Sequence, residues 1–194
     1  MTTTALQSSI EPWIEPASAQ LEHRIAQLEA RLAMASDANA MTLLVFSGEL
    51  DKLLAAFTIA NGAAASGLTV SMFFTFWGAA ALKTRTTMRG KPLVERAFGM
   101  LLPGGLGRRA LSRLDMVGAG RFLMGREMKR KNISALPALI DQAAGLGIQI
   151  YVCEMSMDLM GIRREELIDY PGLQYCGAVK FADLAASGNT TLFI

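Results

Sequence analysis

One histidine in 194 residues removes several chemistries at once. His23 lies far upstream on a helical pattern, so neither a Ser-His nor a Cys-His base is available to the rest of the chain. Two cysteines, Cys153 and Cys176, are too few for a disulfide scaffold, and with one histidine they do not make a zinc site. Gly118, Gly120 and Gly125 have the wrong spacing for a dinucleotide fingerprint, and no Walker-type loop occurs. No metal, nucleotide or other cofactor is therefore expected. The opening Met-Thr-Thr-Thr-Ala-Leu-Gln has no basic stretch leading into an apolar one, so a secretory leader is not expected and the cytoplasm is the expected compartment.

Charge is absent from Leu53 to Leu82, a run long enough to cross a bilayer. Asn61, Gly62, Ser66 and Gly67 interrupt its middle, where a spanning helix should be most apolar. Its second half, Leu68 to Phe76, is rich in β-branched and aromatic residues. The run predicts a helix, a glycine stop and a buried strand, as in a parallel βαβ unit, rather than a membrane span.

Hydrophobic residues make up 52% of the chain, enough for the full core of one domain with an appendage. The net charge of +2 hides three blocks. Residues 1–40 hold two Lys/Arg against five Asp/Glu, residues 83–131 thirteen against three, and residues 132–194 three against seven. In the first block Leu21, Ile25, Leu28, Leu32 and Ala35 recur at the spacing of an a/d seam, with Pro16 and Ser18 suiting the helix start. Asp37 and Asn39 read as linker, giving an N-terminal helix and linker over 1–40 and an α/β domain over 41–194. The basic block at 83–131 reads as an amphipathic insertion. Its Phe98, Leu101, Phe122 and Leu123 suit docking to an acidic partner or peripheral contact with the inner face of a membrane. Nucleic acid is not expected, because stacking aromatics are sparse.

From Met41 onward strands alternate with helices. Strands are expected at Thr42–Phe46, Leu68–Phe76, Gly147–Cys153, Tyr175–Val179 and Thr190–Ile194. Helices are expected from Glu49 to about Ala65, from a Ser134 cap with Pro137 in the first turn to Gly145, over Arg163–Ile168, and over Phe181–Ala186. That alternation predicts an α/β fold: about five mostly parallel strands with helices on both faces, plus an N-terminal amphipathic helix.

Cys153 falls where a strand gives way to a helix, at the sheet edge where ligands bind in such folds, and the helix's first amides would favour a thiolate. As a residue type it reads equally well as a small buried apolar side chain. Ser47-Gly48-Glu49 closes the first strand at the same edge, as an anion-binding loop or a plain turn. Asp158 could orient a neighbouring group or complement the helix start, and Ser156 lies in the same turn. Met155, Met157 and Met160 could collar the sulfur or fill the core.

The stretch CEMSMDLMGI, from Cys153 to Ile162, followed by REELID, is the most telling motif. With the segments from Leu43 to Gly78 and Lys129 to Ile162 and the closing Thr-Leu-Phe-Ile, it resembles the DsrE/DsrF/DsrH-like family, in its larger branch with a methionine-rich motif after the cysteine. The resemblance covers roughly residues 41–194. It implies a sulfur-relay protein: Cys153 would carry persulfide sulfur and exchange it with a partner thiol, such as that of a TusA-type carrier, in a homo-oligomer. Of the two cysteines only Cys153 sits on the family motif; Cys176 carries no role from it, and the basic segment has no cysteine. The alternative is a non-catalytic assembly or membrane-surface subunit in which Cys153 is merely buried.

Overall fold

A computed structural model describes residues 19–30, 37–88, 90–101, 105, 111 and 119–194. The chain divides into two units, Met1–Ser36 and Asp37–Ile194. In the first, residues 19–30 form helix α1, whose seam residues Leu21, Ile25 and Leu28 are exposed. Pro16, Ser18, Leu32 and Ala35 lie outside the described residues.

The second unit runs β1 (Asp37–Val45), α2 (Leu50–Ala65), β2 (Thr69–Phe74), α3 (Phe76–Ala81), α4 (Leu93–Leu101), α5 (Ala119–Arg130), α6 (Leu136–Gly145), β3 (Gln149–Cys153), α7 (Glu154–Met160), a 3-10 turn (Arg164–Glu166), β4 (Gln174–Cys176), α8 (Ala178–Ser187) and β5 (Gly188–Phe193). The strands form one sheet in the order β4-β3-β2-β1-β5, and every neighbouring pair is parallel. The charge-free run from Leu53 to Leu82 is divided among α2, β2 and α3. Among the described residues no helix is long and apolar enough to cross a membrane.

Alternation along the strands sorts their side chains into two cores. Leu43, Val45, Met72, Phe74, Ile150 and Val152 join the main core, with Leu53 and Phe57 of α2, Leu139 and Ile140 of α6, and Met157 and Met160 of α7. Leu44, Phe73, Tyr151 and Cys153 face the other way, covered by Phe181 and Leu184 of α8. Because both faces are buried, the strands read as continuous apolar runs. Each large side chain so buried contributes about 1.5–3 kcal/mol. The chain steps from β1 through β4 in one direction with its helices on the main-core side. Helix α8 then carries it back across the opposite face to β5, as right-handed crossovers require.

Several boundaries differ from the sequence reading. Asp37 and Asn39, read as linker, belong to β1, where Asp37 pairs with Gly188 across a register irregularity before Met41. Helix α6 takes Ala135, not Ser134, as its N-cap, since turning Leu136 into the core starts the helix one residue later. Pro137 does lie in the first turn. β2 stops at Phe74, because Phe76 adopts a left-handed φ of 45° and opens α3. β4 ends at Cys176, with Gly177 capping α8, so Val179 is helical rather than extended. The helix expected over Arg163–Ile168 is a single 3-10 turn. Glu166 there folds its carboxylate back to accept the Arg163 amide at 3.0 Å and both of its oxygens take hydrogen bonds from Lys91 Nζ at 2.8 Å. The basic segment is thus partly built into the fold: Lys83 and Lys91 are buried.

Candidate functional site

Cys153 is the last residue of β3 and the N-cap of α7. It is 1% exposed, and its side chain makes no capping hydrogen bond to the helix it precedes. The neighbouring strand places a second thiol beside it. Cys176 is the last residue of β4 and pairs with Cys153 in register. Parallel neighbours stand about 4.8 Å apart, and in-register residues point to the same side of the sheet. The sides agree with the packing: Val152 and Tyr175, one step earlier, meet the main core, while Cys153 and Cys176 meet the smaller one under Phe181. Both cysteines are free thiols, Cys153 buried and Cys176 half-buried.

The topology gives this pair a particular address. After β3 the chain turns into α7 on the main-core side, and after β4 it turns into α8 on the other. In open α/β sheets ligands bind outside the carboxyl ends of the strands. Cys153 and Cys176 are the last residues of two neighbouring strands at that edge. Distance in the sequence concealed this: β4 is only three residues long, and nothing in the chain alone fixes its register against β3.

Charged and aromatic groups rim the pair. Arg164 forms an ion pair with Glu154 at 2.8 Å and lies 4.3 Å above the Tyr175 ring. Lys180, in the first turn of α8, pairs with Asp183 at 2.9 Å, which raises its pKa. Burial, together with nearby Cys153 and Glu154, pushes the Cys176 thiol up, while Lys180 pulls it partly back. Two open cavities adjoin, sharing Arg164 and Glu165. One of about 530 Å³ reaches Thr84, Arg85 and Tyr175, and one of about 450 Å³ reaches Glu154 and Asp158; neither is lined by a cysteine.

The other sequence-derived candidates serve different purposes. Ser47 accepts a hydrogen bond from Lys52 at 3.0 Å, and Glu49, the N-cap of α2, forms an ion pair with the same lysine at 3.0 Å. Gly48 sits so close to α3 that a Cβ would lie 2.6 Å from the Trp77 carbonyl oxygen. This turn ends β1, with β2 lying between it and β3. Ser156 is fully buried, hydrogen-bonded to the Thr75 hydroxyl at 2.9 Å and accepting the Phe76 amide at 3.0 Å, so it holds the left-handed turn after β2. Asp158 and Met155 are exposed. Met157 and Met160 fill the main core while Cys153 lies in the smaller one, so the methionines form no collar around its sulfur. Among the described residues no group of three or more His, Cys, Asp or Glu side chains is arranged to hold a metal ion.

The profile of the DsrE/DsrF/DrsH-like family matches residues 37–193, which are the bounds of the sheet from β1 to β5. The chain is 38% identical over 154 residues to the uncharacterized protein YrkE of Bacillus subtilis, covering 79% of this chain and 95% of that one. It is 29% identical over 158 residues to the sulfur carrier protein DsrE2 of Allochromatium vinosum, covering 79% of this chain and 97% of that one. A solved structure of the ychN protein of E. coli aligns with a TM-score of 0.46 at 14% identity, over 80% of this chain and 99% of that one.

Proposed function

Since this chain belongs to the DsrE/DsrF/DrsH-like family, we propose that it works in sulfur relay, holding persulfide sulfur on Cys153 and exchanging it with a partner thiol. The family and the sulfur-carrier relative support sulfur transfer in general. The observation that favours Cys153 as the holder is its place at the end of β3, at the carboxyl edge of the sheet, on the cysteine of the motif Cys153–Ile162. Burial suits the task, because a persulfide kept from water and from passing thiols is not lost before its acceptor arrives. A TusA-type carrier is the proposed partner, the cytoplasm the proposed compartment, and a homo-oligomer the proposed assembly. Helix α5 ends in Lys129 and Arg130 and leaves Phe122 71% exposed, which favours a peripheral membrane or acidic-partner contact for the basic segment.

Intact mass spectrometry of the full chain tests this reading, after separate incubation with thiosulfate, polysulfide and a persulfidated carrier. Added sulfur that a dithiol removes, and that an acceptor protein gains, supports the relay. Unchanged mass with all three donors would leave Cys153 as core filler in an assembly subunit.

A further inference from the structure

The cysteine that the family motif leaves unassigned stands where an exchange partner for Cys153 would have to be. We infer that Cys176 is a second nucleophile of the relay, through which sulfane sulfur passes between the buried Cys153 and thiols outside. This deepens the carrier reading and rests on it. Three observations carry the inference. The two residues are in-register neighbours at the ends of adjacent parallel strands, a Cα separation within the range that permits an S–S bond. Their side chains share the small core beneath Phe181 and Leu184 of α8. Their exposures differ in the sense a relay needs, since Cys153 is closed to a protein-sized thiol and Cys176 is half-buried.

The step balances without an external oxidant or reductant. The Cys176 thiolate attacks the terminal sulfur of the Cys153 persulfide. A bond forms between Cys176 Sγ and that sulfur as the bond to Cys153 Sγ breaks, and the electron pair stays on Cys153 as a thiolate. Cys153 takes up a proton equivalent to the one Cys176 gave up. An acceptor thiolate then attacks the outer sulfur of the Cys176 persulfide, with Cys176 leaving as thiolate. Loading from a donor is the reverse.

Two measurements on the full chain test the relay and separate it from the carrier reading. In the first, a mild thiol oxidant acts on the unloaded protein, and peptide mapping looks for a Cys153–Cys176 disulfide within one chain; we expect it to form. In the second, transfer of loaded sulfur to a small acceptor thiol is timed in the wild type, Cys176→Ser and Cys176→Ala, each checked for an unchanged melting temperature. We expect both variants to load fully in time but to hand off roughly tenfold or more slowly, because the outside thiol must then wait for the edge to open. Unchanged hand-off rates in both variants would overturn the relay while leaving Cys153 as carrier. Failure of the disulfide to form would overturn it on geometry. Disulfide formation in a protein that takes up no sulfur from any donor would refute the carrier reading, and with it the relay.

Discussion

Glu166 lies in the Arg164–Asp169 stretch that follows the cysteine motif, where nothing in the sequence marks it as a buried anchor, yet it ties several segments around the site together. Burial alone would raise its pKa, but the Lys91 hydrogen bonds, the amides of Arg163 and Thr87 and the charge of Lys83 outweigh that and hold it below the usual carboxylate range. Its backbone carbonyl accepts the Thr84 amide at 2.9 Å, so one residue ties the start of the basic segment to the 3-10 turn that carries Arg164. Removing one member of a fully buried pair strands the other charge, at a cost of about 3–5 kcal/mol. Lys91→Met should therefore lower the urea midpoint strongly, whereas Lys129→Met, on the exposed face of α5, should barely move it. A small change for Lys91→Met would mean the segment is not anchored there. The sign with pH follows from the depressed pKa. Glu166 contributes stability at neutral pH that is lost as pH falls below the ordinary carboxyl range and through the folded-state value. Cys153, by contrast, was legible as a candidate from its strand-to-helix setting, while its neighbour Cys176 was not, because side-by-side placement is a property of register.

Elements were legible where burial imposes a period. β1, β2 and β3 are apolar on both faces and stand out from the sequence, as does α2 between its Ser47-Gly48-Glu49 turn and Ser66-Gly67. The short pieces were less legible because tertiary contacts define them. β4 exists by pairing with β3, and the 3-10 turn exists by the capping of Arg163 with Glu166. The segment between that turn and β4 is fastened by Tyr170, whose hydroxyl donates to the Ile148 carbonyl at 2.8 Å just before β3. Burial pushes the Tyr170 phenol up to about 12, from an ordinary value of 10. The folded state thus holds this proton more tightly than the unfolded chain, so the contribution is complete below about pH 10 and fades as pH approaches 12. At about 1.4 kcal/mol per pH unit, the loss is on the order of 2 kcal/mol. Denaturant midpoints measured from pH 9 to 12 should fall more steeply in the wild type than in Tyr170→Phe. Parallel curves would show that the phenol titrates as if exposed.

At the scale of the whole molecule, a near-neutral chain separates into an acidic N-terminal region, a basic middle and an acidic C-terminal third. Such separation suits association between copies or with charged partners. Helix α1 presents Leu21, Ile25 and Leu28 to solvent, and an apolar stripe of that kind calls for a covering surface. Light scattering should give a wild-type mass above that of one chain. Ile25→Asp combined with Leu28→Asp should lower the mass or the melting temperature, since burying unpaired carboxylates in a seam costs several kcal/mol. A monomeric wild type would contradict the assembly, and a double variant unchanged in both respects would make α1 a solvated arm. The fold itself was readable as alternating strands and helices, but the return through α8, which sets β5 beside β1 rather than beside β4, is a fact of three dimensions. The central claim, that sulfur resides on Cys153, is tested most directly by loading the wild type, Cys153→Ser and Cys176→Ser with polysulfide to completion and mapping the added sulfur by peptide mass. The account predicts an adduct on Cys153 in the wild type and in Cys176→Ser, and none retained in Cys153→Ser. An adduct that persists in Cys153→Ser and disappears in Cys176→Ser would contradict it.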